Sequence, residues 1–171
     1  AEMAICVAEH QPADCCFPNT LEAIMALQAV IRFADVAPKA HYYLGNLWYD
    51  KRQYPEAVAE WEKSVEQDDT FPTVLRNLSL AYFNKLNKQQ GAVVLLERAF
   101  KLDIRDARIL MELDQLYKRL NRSHADRLDL LDKLKDVAFS RDDLYLEYVT
   151  LLNQLGRYED AIRMIDARRF H

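Results

Sequence analysis

Glycine is almost missing from this chain, with three residues in 171. That scarcity excludes glycine-rich phosphate loops, and no nucleophile-elbow sequence is present either. Histidine is thin as well: His10, His41, His124 and His171. No two of them are four residues apart, so no helical histidine pair can hold zinc. Cysteine is limited to Cys6, Cys15 and Cys16, an odd count crowded at one end. This is a poor disulfide framework and reads as free thiols in a reducing compartment. Cys6, His10, Cys15 and Cys16 form the only metal-like cluster, and their spacing matches no common zinc motif. A Cys16–His41 nucleophile can be drawn on paper, but nothing in the sequence activates the thiol. The expectation is a chain without catalytic residues, metal or cofactor.

Long apolar runs are also lacking. None approaches the ~18 residues a membrane span needs, and no basic segment leads into an apolar one as in a signal peptide. Charge of one sign is not concentrated: the formal net charge is −4, with acids and bases interspersed. Nucleic-acid binding needs clustered Lys and Arg, so neither nucleic acid nor membrane is expected as a partner. A cytoplasmic location follows as the expectation. The chain opens at Ala1 and stops at His171, which reads as a piece excised from something longer.

What the chain has is hydrophobicity, at half of all residues, and a composition that favours helix. It also has internal self-similarity. Tyr43-Leu44-Gly45-Asn46-Leu47-Trp48-Tyr49 is followed by Tyr54-Pro55-Glu56-Ala57 and then by Trp61. Similar phrases return from Pro72, with Leu75, Leu78, Ser79 and Tyr82, and then Ala92, Leu96 and Ala99. They return from Ala107, with Leu110, Leu113 and Tyr117. Asp142 opens the last, with Tyr145, Tyr148 and Leu152, then Gly156-Arg157-Tyr158-Glu159-Asp160-Ala161. The starts are 34, 35 and 35 residues apart. The second repeat carries an extra residue near Asn87-Lys88-Gln89.

This pattern resembles the tetratricopeptide repeat, with small residues at positions 8 and 20 and large ones at 7, 11 and 24. The resemblance implies an all-α fold, a right-handed α-α superhelix of antiparallel helix pairs. Residues 1–37 then make a partial repeat, and 38–71, 72–106, 107–141 and 142–171 make full ones, in a single array. Residues 1–11 read as the remains of a first helix, with Pro12 and Pro18 bounding an irregular stretch. Asn19 and Glu22 suggest a capping box before a second-helix pattern at Leu21, Ala23, Leu27 and Val30. Ser123 and Ser140 read as N-caps. Glu56, Glu159 and Asp160 suit the positive ends of second helices. Trp48, Trp61, Tyr82, Tyr117 and Tyr145 fall at large repeat positions and are expected in the core. The third repeat is degenerate, with Asp114 and Asp126 at its small positions. Either it packs with altered geometry, or Ala125 takes over in a shifted register.

The resemblance also implies a concave groove lined by first helices, where a protein or peptide partner would dock without covalent chemistry. The groove candidates are Tyr42, Asn46, Tyr49, Arg76, Asn77, Leu80, Phe83, Asn84, Arg108, Gln115 and Lys118. Some adaptors of cytosolic chaperones with such repeats hold a peptide carboxylate with two Lys, two Asn and an Arg. Asn46, Asn77 and Arg108 match three of those places. Tyr42 and Glu112 stand where cations would be, which weakens carboxylate capture. Ala40-His41-Tyr42-Tyr43-Leu44-Gly45-Asn46-Leu47, Phe71-Pro72-Thr73-Val74-Leu75-Arg76-Asn77-Leu78 and Ala167-Arg168-Arg169-Phe170-His171 resemble a group of large bacterial proteins. Those join a galactose-mutarotase-like β-domain to tetratricopeptide repeats. On that resemblance the chain is the helical part, and an alternative role is to brace a carbohydrate-active domain. Ile162, Ile165 and Phe170 in the last helix region, with no helix after them, suggest self-association through the terminal helices.

Overall fold

The computed structural model describes residues 19–170, and every regular element among them is a helix. Residues 1–11, Pro12, Pro18, the Cys6–His10–Cys15–Cys16 cluster and His171 lie outside the described residues. One compact unit contains α1 (Leu21–Phe33), α2 (Pro38–Asp50), α3 (Tyr54–Gln67), α4 (Pro72–Asn84) and α5 (Gln89–Leu102). A second contains α6 (Ala107–Arg119), α7 (His124–Lys133), the single turn α8 (Lys135–Ala138), α9 (Asp142–Gln154) and α10 (Tyr158–Ala167). In the first unit α2 packs on α3, α4 on α5, α1 on α2 and α3 on α4; in the second α6 packs on α7, α9 on α10 and α7 on α9. No described helix is long and apolar enough to cross a membrane.

One turn recurs inside all four pairs. A left-handed residue ends it: Arg52 (φ 61°), Asn87 (53°), Asn121 (55°) and Gly156 (75°). The next N–H then reaches back to a carbonyl of the first helix: Gln53 to Trp48, Lys88 to Tyr82, Arg122 to Tyr117 and Arg157 to Leu152, each at 2.9 Å. These bonds satisfy carbonyls that a helix end leaves orphaned. Gly156 adopts the conformation freely and asparagine tolerates it, whereas Arg52 holds it against a steric cost.

Helix starts differ in how they are capped. Proline opens α2 and α4, where its missing N–H costs nothing. Asp106 caps α6 by accepting from the N–H groups of Arg108 and Ile109 at 2.8 and 3.1 Å. Ser123 caps α7 as expected, accepting from Asp126 N–H at 3.1 Å. The capping box at Asn19 does not form. Thr20 is the cap of α1 and accepts from Ala23 N–H at 3.2 Å, so Glu22 sits one residue too early to reciprocate. Ser140 is not a cap either: its hydroxyl donates back to the Val137 carbonyl at 2.7 Å, and α9 starts after Arg141. Glu56, Glu159 and Asp160 do lie in first turns.

The core sits where the two helices of a pair cross. The eighth residue of each first helix and the fourth of each second are Gly45 and Ala57, Ser79 and Ala92, Asp114 and Arg127, Val149 and Ala161. All eight are buried. A Cβ on Gly45 would stand 2.4 Å from the Trp61 ring, so only glycine fits there. Ser79 spends its hydroxyl on the Ala92 carbonyl at 2.7 Å. Around the first crossing pack Tyr42, Val58, Trp61, Val74, Leu78 and Ala81.

The third pair breaks the rule of small residues and corrects the sequence reading. Neither Asp126 nor Ala125 enters the crossing; both are exposed. An extra loop residue, as in the second pair, shifts Arg127 into that place. Arg127, 1% exposed, grips Asp114, 0% exposed, through Nε–Oδ1 at 2.9 Å and Nη2–Oδ2 at 2.7 Å. Its Nη2 also donates to Glu147 of α9 at 2.6 Å, and Lys118 donates to both Glu147 oxygens at 2.8 and 3.0 Å. Burial pushes the Asp114 carboxyl upward. Burial alone would raise Glu147 too, but Lys118 and Arg127 hold it below the usual glutamate range. Two charges taken out of water are tolerable only with such bidentate geometry.

After α10 the chain turns back. Arg168 donates to the Phe139 carbonyl at 2.8 Å, pairs with Asp142 and lies 4.5 Å over the Tyr145 ring. Phe170 packs edge-on against Tyr145 at 5.9 Å, so it covers the start of α9 and is not part of the apolar face of α10.

Candidate functional site

The first helices of the first unit, α2 and α4, bring several of the expected partner-binding residues together. Asn46 of α2 is the hub. Its Oδ1 accepts from Trp61 Nε1 and from Asn77 Nδ2, both at 3.1 Å. Asn77 Oδ1 in turn accepts from Arg76 Nη1 at 3.3 Å. This relay fixes the amide orientations across α2, α3 and α4. Trp61 shares its N–H with the Tyr42 carbonyl at 3.2 Å, so the buried indole anchors the surface amides. The sequence placed Trp61 in the core but gave no sign of its role as a donor to Asn46, which depends on a contact 15 residues away.

Aromatic and apolar groups flank the relay. Tyr49 is half-buried, its ring 5.4 Å from Trp61 and 5.1 Å from Tyr54. Leu80 and Phe83 are half-buried on α4, and Asn84 is exposed at its end. Tyr42 departs from the expected groove: it is 7% exposed, with Phe71 4.8 Å away edge-on and Tyr43 at 5.1 Å. It belongs to the core and offers a partner almost no surface.

The remaining candidates lie on α6 in the second unit. Arg108 is exposed and stands 3.5 Å from Glu112. The anion that replaces a clamp cation therefore pairs with the arginine that matches one. Gln115 is half-buried. Lys118 is exposed but tied to Glu147, within the buried network around Arg127. His41 is 5% exposed, with Nδ1 2.6 Å from Glu60. Burial would raise Glu60, yet its bonds from Lys63 and His41 bring it below the ordinary range. No group of three or more His, Cys, Asp or Glu among the described residues is arranged to hold a metal ion.

The tetratricopeptide repeat family model matches residues 38–71, the span of α2 and α3 with their flanking turns. Residues 38–71 thus match one tetratricopeptide repeat. Solved structures of such proteins share its fold. MamA superposes with a TM-score of 0.68 at 20% identity, over 84% of this chain and 82% of that one. YrrB, described as a TPR protein with an unusual peptide-binding site, gives 0.64 at 20% identity, over 85% of this chain and 75% of that one. PilF of Pseudomonas aeruginosa gives 0.68 at 18% identity, over 85% of this chain and 65% of that one. The tetratricopeptide fold is a general protein-interaction scaffold.

Proposed function

We propose that this tetratricopeptide chain docks a peptide segment of a partner protein on the surface of α2 and α4, without covalent chemistry. The observation that carries this reading is the Asn46–Asn77–Arg76 relay set between Tyr49, Leu80 and Phe83. Fixed amides can pair with a peptide backbone, and half-buried apolar groups beside them can take its side chains. The peptide-binding site attributed to YrrB supports the same class of ligand. The pairing of Arg108 with Glu112 argues against capture of a free carboxylate terminus at that place. A bacterial cytoplasmic setting belongs to the same reading; it rests on the free-thiol pattern and the sequence phrases quoted above. The alternative, a brace for a carbohydrate-active domain, rests on those phrases alone.

The test is a displayed-peptide library selected against the 171-residue chain, followed by calorimetry with the selected peptides. Asn77→Ala and Phe83→Ala should each weaken binding by about tenfold or more while helicity is unchanged. Selected peptides that bind both variants as tightly as the parent would refute the assignment.

A further inference from the structure

The relay through Asn46 has a direction, and a buried indole sets it. Trp61 Nε1 carries a hydrogen and offers no lone pair, so it can only donate. The Asn46 atom 3.1 Å from it is therefore the amide oxygen. That oxygen also accepts from Asn77 Nδ2 at 3.1 Å, which occupies both of its lone pairs. Asn77 is oriented in turn. Its nitrogen faces Asn46, and its oxygen faces Arg76, a second group that can only donate, at 3.3 Å. Turning Asn46 over would set its nitrogen against the indole N–H. Turning Asn77 over would set its nitrogen against the guanidinium.

What the relay leaves for a ligand is the Asn46 Nδ2 group. It has no hydrogen-bond partner among the described residues, and no buried side-chain nitrogen among them lacks one. Nδ2 therefore reaches solvent. The half-buried Asn46 amide presents N–H donors outward and keeps its acceptor inside.

The charges of the two helices point the same way. The one carboxylate in the sequences of α2 and α4 is Asp50, the last residue of α2, and Lys51 holds it at 3.0 Å. Lys39 and Arg76 are the lysine and arginine of these helices. A ligand seated on the relay must bring acceptors, and this balance of charge favours acceptors that are anionic. Tyr49, Leu80 and Phe83 are half-buried beside the amide, and a charge-assisted hydrogen bond gains strength next to apolar surface.

We propose that this surface selects partner segments with an internal aspartate or glutamate, whose side-chain carboxylate accepts from Asn46 Nδ2 beside Arg76. This selection presupposes peptide docking at α2 and α4 and names the ligand that such docking takes.

Random linear peptides displayed as amino-terminal fusions offer no free carboxyl terminus and supply the test. Selection on the 171-residue chain should enrich Asp or Glu at one peptide position. In calorimetry, exchanging that residue for Asn or Gln in a selected peptide should weaken binding by about tenfold or more. Asn46→Asp changes the outward group alone. One of its oxygens keeps the bonds from Trp61 and Asn77, so helicity and melting should match the parent. The other replaces the outward donor with an anion. The acidic peptides should then bind about tenfold more weakly or worse, and selection on the variant should enrich Lys or Arg at that position. Selected peptides that Phe83→Ala weakens, but that lack an acidic residue or bind Asn46→Asp as tightly as the parent, overturn the carboxylate assignment and leave peptide docking at α2 and α4 standing. Selected peptides indifferent to Phe83→Ala as well overturn both.

Discussion

Arg127→Met removes the cation from the core of the second unit and keeps most of the side-chain volume. Asp114 is then left 0% exposed without its two charged donors. An unpaired carboxylate in that place would sooner bind a proton than stay ionised. Protonating a carboxyl whose ordinary value is ~3.9 costs at neutral pH about 1.36 kcal/mol for each of ~3 units, or ~4 kcal/mol. That figure is a ceiling on the electrostatic penalty and agrees with the ~3–5 kcal/mol typical of a broken buried pair. Glu147 adds little, because Lys118 still holds it at 2.8 Å. The expected loss is therefore about 3–4 kcal/mol near neutral pH. It has a signature: Asp114 is protonated in the folded variant and ionised in its unfolded state, so folding takes up a proton. The penalty shrinks as pH falls, by ~1.4 kcal/mol per unit, down to the ordinary aspartate range. Urea unfolding followed by far-UV circular dichroism at several pH values measures it. Adding Asp114→Ala should bring stability back to within ~1–2 kcal/mol of the parent, since an apolar pair replaces an ionic one. A penalty below ~1 kcal/mol, or one equal at neutral and mildly acid pH, would refute the account.

Three further outcomes follow from the structure. Gly45→Ala should destabilise by about 1–3 kcal/mol although alanine is the better helix former, because its Cβ collides with the Trp61 ring; an unchanged melting temperature would contradict that contact. Glu60 and Glu147 sit below the usual glutamate range, so their stabilisation is complete above that range and is lost as pH falls through their lowered folded values; Glu147→Gln should flatten the acid limb of the stability–pH curve, with Asp114 working in the opposite sense. Tyr82 is pushed up to about 12 by burial and by Glu62, so its ultraviolet ionisation step should come late in an alkaline titration and move down in Glu62→Gln.

The helices and the small-residue crossings at Gly45–Ala57 and Ser79–Ala92 were legible because they rest on local rules. Apolar residues at i, i+3, i+4 and i+7 define one face, and proline or a capping Ser or Asp marks a start. Where the reading slipped, it slipped by one residue at a boundary: Thr20 caps where Asn19 was expected, and Arg127 fills the place assigned to Asp126. The extra residue in the second loop was visible, and allowing the same insertion in the third would have found Arg127. The surface was harder to read. Tyr42 and Asn46 are one turn apart on α2, yet one packs into the core and the other keeps a half-exposed amide.

The sequence by itself determined that this chain is all-helical, where its first repeat lies, and that Gly45, Ala57, Ser79 and Ala92 are small residues at helix crossings. Those properties depend on neighbours within a turn or two of helix. Tertiary structure alone decided what Asp114 means. By sequence it was a blemish in a degenerate repeat; in the fold it is one member of an ion-pair network whose Arg127 and Glu147 lie 13 and 33 residues further along the chain. It also decided which helices cover the second-helix faces of α3 and α7. The face of α10 resembles those of α3 and α7 in composition, and only the packing shows that α4 and α9 cover the latter two.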